Sequence, residues 1–210
     1  GQGGGKLSEE GMVEGEVQCL GCHEGAEHAY AGSVHAQARL GGSVTAARCQ
    51  DCHGAHDVRA TNDAAAHTNA RRITETCAAC HGDTELAEKL GISDPEAFHT
   101  YEESIHGQVL LDKGTTAAPS CVSCHGSHAI LGKKNPASPV HEANIARTCG
   151  GDCHAGIEQT LQASVHGMGA SSSDPSELPT CLDCHDTHAI EAKGDSFKLQ
   201  TDRLCGDCHE

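Results

Sequence analysis

The apolar residues of this chain recur in short bursts of helical period and never in a long run. Tyr30 and Val34, then Tyr101, Ile105 and Val109, then Leu161 and Val165 fall four positions apart, the spacing that lines one face of a helix. Each burst runs through Ser-Val-His or Ser-Ile-His, at 33–35, 104–106 and 164–166, so a short helix carrying that histidine at one end is expected in each place. "DTELAEKLGISDP" (83–95) reads as one further surface helix, with Asp83 as its N-cap and Gly91 ending it. Elsewhere Gly, Pro, Ser and Thr dominate. "GKKNPASPV" (132–140) is a turn-rich connection, and "GMGASSSDPSELP" (167–179) is a loop without periodicity. The expected fold is mainly coil with short α-helices and almost no sheet. No stretch is long and apolar enough to span a bilayer.

Composition removes the usual interior. With no Trp, two Tyr, two Phe and 25 Gly in 210 residues, the chain lacks the side-chain volume of an ordinary core, and cofactor bulk is the natural substitute. No charged leader with a hydrophobic run opens the sequence, so residue 1 reads as the start of a processed chain. The net charge of −16, from 30 acidic and 14 basic residues, makes nucleic acid an unsuitable partner. That acidity serves either solubility or steering toward basic redox partners.

All 14 cysteines fall into seven pairs, each followed at once by histidine. The first site is Cys19, Cys22 and His23; the second is Cys49, Cys52 and His53; the third is Cys77, Cys80 and His81. The fourth is Cys121, Cys124 and His125; the fifth is Cys149, Cys153 and His154; the sixth is Cys181, Cys184 and His185; the seventh is Cys205, Cys208 and His209. Zinc ribbons and redox disulfides also use cysteines at this separation, but neither requires a histidine after every pair. C-x-x-C-H is the attachment signal for c-type haem. In a helical turn, positions i, i+3 and i+4 share one face, so two thiols meet two vinyl groups while the imidazole reaches the iron. Seven covalently attached haems c are expected. The fifth site, Cys149-Gly-Gly-Asp-Cys153, carries one extra residue. Position i+4 lies on the same face as i+3, and Gly150 and Gly151 are expected to take up the distortion; an unfilled fifth site is the alternative.

The other ten histidines repeat. His35, His106 and His166 end the Ser-Val/Ile-His runs, and each is followed after 14 or 15 residues by an attachment site. "CQDCHGAH", "CVSCHGSH" and "CLDCHDTH" then place His56, His128 and His188 three residues beyond the proximal histidine. His67 and His141 correspond more weakly, and His28 and His99 open two of the aligned stretches. The organisation is three two-haem repeats and a lone site: 1–72 with an N-terminal tail, 73–147, 148–200, and 201–210. Such self-similarity points to stacked modules rather than one core. The second repeat is longer because 83–95 is inserted.

Iron held on both axial sides transfers electrons, whereas iron with an open side binds small molecules. Seven irons need seven distal ligands. The six threefold-repeated histidines are the first choice, followed by His67 and His141 and then His28 and His99; with histidines in surplus, Met12 and Met168 are not needed.

The "SVH/SIHG" runs, the "CVSCHGSHAIL" type of site and "SPVHEANIARTC" leading into the next site resemble the multihaem c-type cytochromes with doubled C-x-x-C-H motifs, over about Gln18 to Glu210. The resemblance implies bis-histidine haems in a close chain, serving quinol-linked respiratory complexes or extracellular electron transfer, in some members as polymerised filaments. The spacing at Cys149 departs from the family pattern. The expected function is an electron conduit without catalytic residues, located in the periplasm or cell exterior, where c-type cytochromes mature. Its partners are redox proteins, and it has neither nucleic-acid partner nor membrane insertion. With the first and seventh haem sites near the ends of the sequence, head-to-tail polymerisation through terminal haems is one expectation for assembly; a monomer or a subunit of a quinol-oxidising complex is the other. The competing class is a multihaem oxidoreductase of nitrogen or sulfur oxyanions with one open haem.

Overall fold

The computed structural model describes residues 19, 22–167, 178–192 and 194–209. Met12, Met168 and most of the loop 167–179 lie outside them. Short helices and coil make up the described residues, with no strand among them, as the apolar pattern predicts. The helices are α1 (Glu24–Ala31), α2 (Val34–Leu40), α3 (Cys49–His53), α4 (Ile73–His81), α5 (Thr84–Lys89), α6 (Ala97–Glu103), α7 (Ile105–Gly107), α8 (Cys121–His125), α9 (Ile145–Gly150), α10 (Ala155–Gln162), α11 (Cys181–His185) and α12 (Asp195–Gly206). Among the described residues the buried apolar side chains are Ala36, Ala66, Ile73, Ala87, Leu110 and Ile145, so three alanines stand where a core would normally hold large groups.

The inserted helix forms as its ends dictate. The Asp83 side chain accepts from the Leu86 N–H at 3.0 Å. At the other end, Gly91 adopts φ +67°, while Ile92 N–H reaches the Ala87 carbonyl and Gly91 N–H the Glu88 carbonyl, each at 3.0 Å. This paired closure ends a helix on a left-handed glycine.

In the first two Ser-Val/Ile-His runs the histidine stands at one end of a short helix, as expected, but the upstream tyrosine belongs to a separate helix; in the third, α10 ends at Gln162, before the run. In the first two, the serine starts a new helix just after the preceding one ends. Ser33, fully buried, accepts the Ala36 N–H at 3.1 Å and so caps α2; Ser104 accepts the Gly107 N–H at 3.0 Å and caps α7, which continues as a π-type turn over Gln108–Asp112. In the third run Ser164 accepts the His166 N–H at 3.1 Å. A serine oxygen satisfies an otherwise orphaned amide at a helix start, and here it fixes the first turn on which His35 or His106 stands.

The residue after the proximal histidine in α3, α8 and α11 adopts one unusual conformation: Gly54 at φ 79°, ψ 171°, Gly126 at 77°, 177°, and Asp186 at 65°, 179°. This region suits glycine and strains any residue with a Cβ, by about 1–3 kcal/mol. Asp186→Gly is therefore expected to stabilise the protein by about 1 kcal/mol after the entropic cost of glycine, raising the urea midpoint; an unchanged or lowered midpoint contradicts the assignment of strain.

The described residues pack as two compact units, one drawn from 1–79 with 120–144 and the other from 80–119 with 145–210. Each draws on successive repeats. Within the first, the Val34 N–H donates to the Ile130 carbonyl at 2.8 Å; within the second, Ile105 N–H donates to the Ile190 carbonyl at 2.9 Å. Both bonds join the residue before a Ser-Val/Ile-His histidine to the isoleucine of a His-Ala-Ile run in the following repeat.

Candidate functional site

Four of the attachment motifs lie in helical turns. α3, α8 and α11 are the motifs themselves, and α4 ends on the third. At the first site Cys22 N–H and His23 N–H both bond to the Cys19 carbonyl, at 3.2 and 3.1 Å. The seventh site repeats this, with Cys208 N–H and His209 N–H reaching the Cys205 carbonyl at 3.2 and 2.8 Å. The residue before the second cysteine closes the turn from inside. Asp51 accepts the Arg48 N–H at 2.7 Å, the Ser123 hydroxyl accepts the Ser120 N–H at 3.0 Å, and Asp183 accepts the Thr180 N–H at 2.6 Å. This is the back-reaching half of a capping box.

All fourteen cysteines are free of disulfides. Their exposure is uneven within a motif. In the first, third, fifth and sixth sites the leading cysteine is half-buried, whereas the second one, Cys22, Cys80, Cys153 or Cys184, is exposed. Both cysteines are half-buried in the second and fourth sites, where Cys52 and Cys124 are the second of each pair, and both are exposed in the seventh, Cys205 and Cys208. The sequence pattern treats all seven pairs alike and does not show this difference.

The chain's two tyrosines anchor two of these turns. Tyr30 donates to the Ala47 carbonyl at 2.6 Å, and Tyr101, its repeat equivalent, donates to the Pro119 carbonyl at 2.7 Å. Both acceptors lie two residues before the first cysteine of a second site. Burial pushes the Tyr30 phenol up to about 12, so it remains a donor throughout the physiological range. The third repeat has Leu161 in that position and lacks the anchor.

At the fifth site α9 ends on Gly150, and the extra residue widens the turn: His154 N–H reaches the Cys149 carbonyl at 3.1 Å, five residues back. The glycines act through space, not dihedral freedom. Neither Gly150 nor Gly151 has positive φ, but a Cβ on Gly150 would run into the Glu158 side chain, and one on Gly151 would lie 2.9 Å from the Arg147 carbonyl. The distortion expected at these glycines is spread over the hydrogen bonding of the turn.

Three proximal histidines face a second histidine. His53 and His128 have ring centres 6.0 Å apart with planes 12° from parallel, His106 and His154 are 6.2 Å apart at 35°, and His166 and His209 are 5.9 Å apart at 43°. Two metal–imidazole bonds of about 2 Å, plus the half-rings behind them, require about 6 Å between ring centres. The residues therefore fit a haem iron with two axial histidines. Each pair joins neighbouring repeats, in one of two arrangements. His53, in the second site of its repeat, faces the extra histidine of the following repeat; His154 and His209, each the first site after a repeat boundary, face the Ser-Val/Ile-His histidine of the preceding one. Burial, with His128 and His23 nearby, holds His53 below the usual imidazole range; burial and His154 do the same for His106, and burial alone for His81. Each keeps the neutral form that offers a lone pair to a metal.

Neighbouring attachment sites are drawn together. A hydrogen bond with Cys77 holds the Cys121 thiol low despite its burial, linking the third and fourth sites. Burial pushes the Cys184 thiol up, aided by Asp183 and Cys205, linking the sixth and seventh. A cavity of about 330 Å³ opens at the sixth site, lined by Cys184, His185, Asp186, Ala189 and Leu204 among others.

Of the remaining histidines, His35 stands in the first turn of α2 and His188 meets Asp94 at 2.8 Å. His99 turns Nε2 to the Gly82 carbonyl at 3.1 Å, 17 residues back, and the His141 Nδ1 accepts the Ala143 N–H at 3.2 Å within a local turn. His67 lies 3.6 Å from Asp57. His28 and His56 are exposed, and among the described residues neither stands opposite a proximal histidine. The capping serines and the two tyrosine anchors are positioning groups that the motif reading passes over, and the contact of Asp94 with His188 is one that it does not find. Ser two residues before a repeated histidine, and Tyr at equivalent places in two repeats, are the signals that could have found them.

The doubled CXXCH motif family matches residues 175–210, which hold the sixth and seventh sites. No curated protein and no solved structure matches it. No helix among the described residues is long and apolar enough to cross a membrane.

Proposed function

We propose that the chain is a heptahaem c-type cytochrome acting as an electron conduit in the periplasm or at the cell exterior. The observation that carries this reading is the set of three opposed histidine pairs at 5.9–6.2 Å, each including the histidine of an attachment motif. Haem iron so held supplies one-electron transfer without an open coordination position. The protein's residues do the rest. The one-turn motifs aim two thiols and an imidazole from one face, the capping serines fix the opposing helices, and the bonds Val34–Ile130 and Ile105–Ile190 hold the segments that carry distal histidines. The proximity of Cys77 to Cys121 and of Cys184 to Cys205 supports short steps between successive haems. His35 and His188, equivalent by repeat to paired histidines, are the proposed distal ligands of two further irons. The net charge of −16 favours redox partners with basic docking faces.

The experiment is a spectrum of the reduced mature protein with and without carbon monoxide. An unchanged spectrum is expected; ready binding without denaturation would instead identify an open haem and the oxidoreductase class. Intact mass tests the count of seven.

A further inference from the structure

The insertion that sets the second repeat apart ends on a carboxylate that meets a repeated histidine. His188 Nδ1 lies 2.8 Å from Asp94 Oδ2, in a partly buried contact. An ionised carboxylate only accepts, so Nδ1 is the donor in this contact, and a neutral ring would leave the lone pair on Nε2. The segment carrying Asp94 is braced at both ends. The Thr84 hydroxyl at the start of α5 donates to Glu96 at 2.8 Å, and His99 on α6 meets the Gly82 carbonyl at 3.1 Å. Between them, the closure at Gly91 returns the chain to Asp94, and Pro95 restricts the backbone there. The first and third repeats have no counterpart of residues 83–95, and so no equivalent of Asp94.

We infer that Asp94 is a positioning residue for His188, orienting the ring with Nε2 toward iron and increasing its electron donation, so that the haem His188 ligates has a lowered reduction potential. A carboxylate on the far nitrogen of a metal-bound imidazole fixes its tautomer and raises its basicity. A more basic axial ligand and a nearby negative charge both favour ferric over ferrous iron. The inserted segment would then tune one haem in the series and leave the others unchanged. This rests on the reading of His188 as an axial ligand.

The test uses the mature, haem-loaded protein and three variants, with midpoint potentials from a spectroelectrochemical titration and g-values from low-temperature EPR. Asp94→Asn keeps the size of the side chain and an acceptor oxygen while removing its charge. It is expected to shift one midpoint upward and to change the g-values of one low-spin haem. Asp94→Glu is expected to return both toward the native values. His188→Ala is expected to convert one iron to the high-spin form. If His188→Ala opens an iron but Asp94→Asn leaves every midpoint and g-value in place, Asp94 is a passive surface contact and the inference fails alone. If His188→Ala leaves all irons low-spin, His188 is not a ligand and the inference falls together with that part of the proposed function. A high-spin iron in Asp94→Asn would support positioning in its strongest form, provided Asp94→Glu restores the low-spin state.

Discussion

Without attached haem the chain is expected to be largely disordered. Among its described residues the large buried apolar side chains are Ile73, Leu110 and Ile145, worth about 1.5–3 kcal/mol each. Ordering the backbone costs about 1–2 kcal/mol for every residue fixed. Large apolar groups instead face outward, with Val34 42% exposed beside His35 and Val165 78% exposed beside His166. These valines flank histidines read as axial ligands, where porphyrin faces would cover them. Protein expressed without cytochrome c maturation should show little helical circular dichroism and collapsed amide NMR dispersion. Sharp, dispersed amide signals from the haem-free chain would show that the polypeptide folds on its own and would remove haem from the account of its stability.

The second large effect is expected from His128→Ala. The ring of His128 stands 6.0 Å from that of His53, although the two lie in different repeats. Removing it should leave the iron at the second site, that of Cys49, Cys52 and His53, five-coordinate, giving one haem equivalent of high-spin signal and of carbon monoxide binding. The protein should stay folded, because the attachment turns and the Val34–Ile130 bond are untouched. An unaltered low-spin spectrum would show that the pair is a ring contact and not an axial set. His106→Ala should act in the same way on the iron at His154, through a pair 6.2 Å apart.

Much of this arrangement is legible in the sequence, and the remainder is hidden for physical reasons. The motif spacing predicts one-turn helices, and α3, α8 and α11 are such turns. Asp83 and Gly91 mark the ends of α5 because capping is local chemistry. Which histidine faces which is not local. A turn attached to a flat macrocycle would meet it from one side, so an opposing imidazole would have to come from chain elsewhere, and His128 stands opposite His53 in that way. The serines are similarly concealed. An apolar spacing of four reads through Ser33 and Ser104 as one continuous helix, whereas their hydroxyls cap new ones. At the fifth site, glycine in a stretched motif reads as dihedral freedom, but crowding by Glu158 and Arg147 makes small size the operative property. Asp94 looks like a loop residue until folding brings it to His188.

The claim that these histidines grip iron from both sides is tested most directly by near-infrared magnetic circular dichroism of the fully oxidised mature protein, which separates bis-histidine haem from histidine–methionine and high-spin haem. The account predicts low-spin bis-histidine bands alone, with an intensity matching the haem count from intact mass. A high-spin or histidine–methionine component of one haem equivalent or more in the native protein would contradict it.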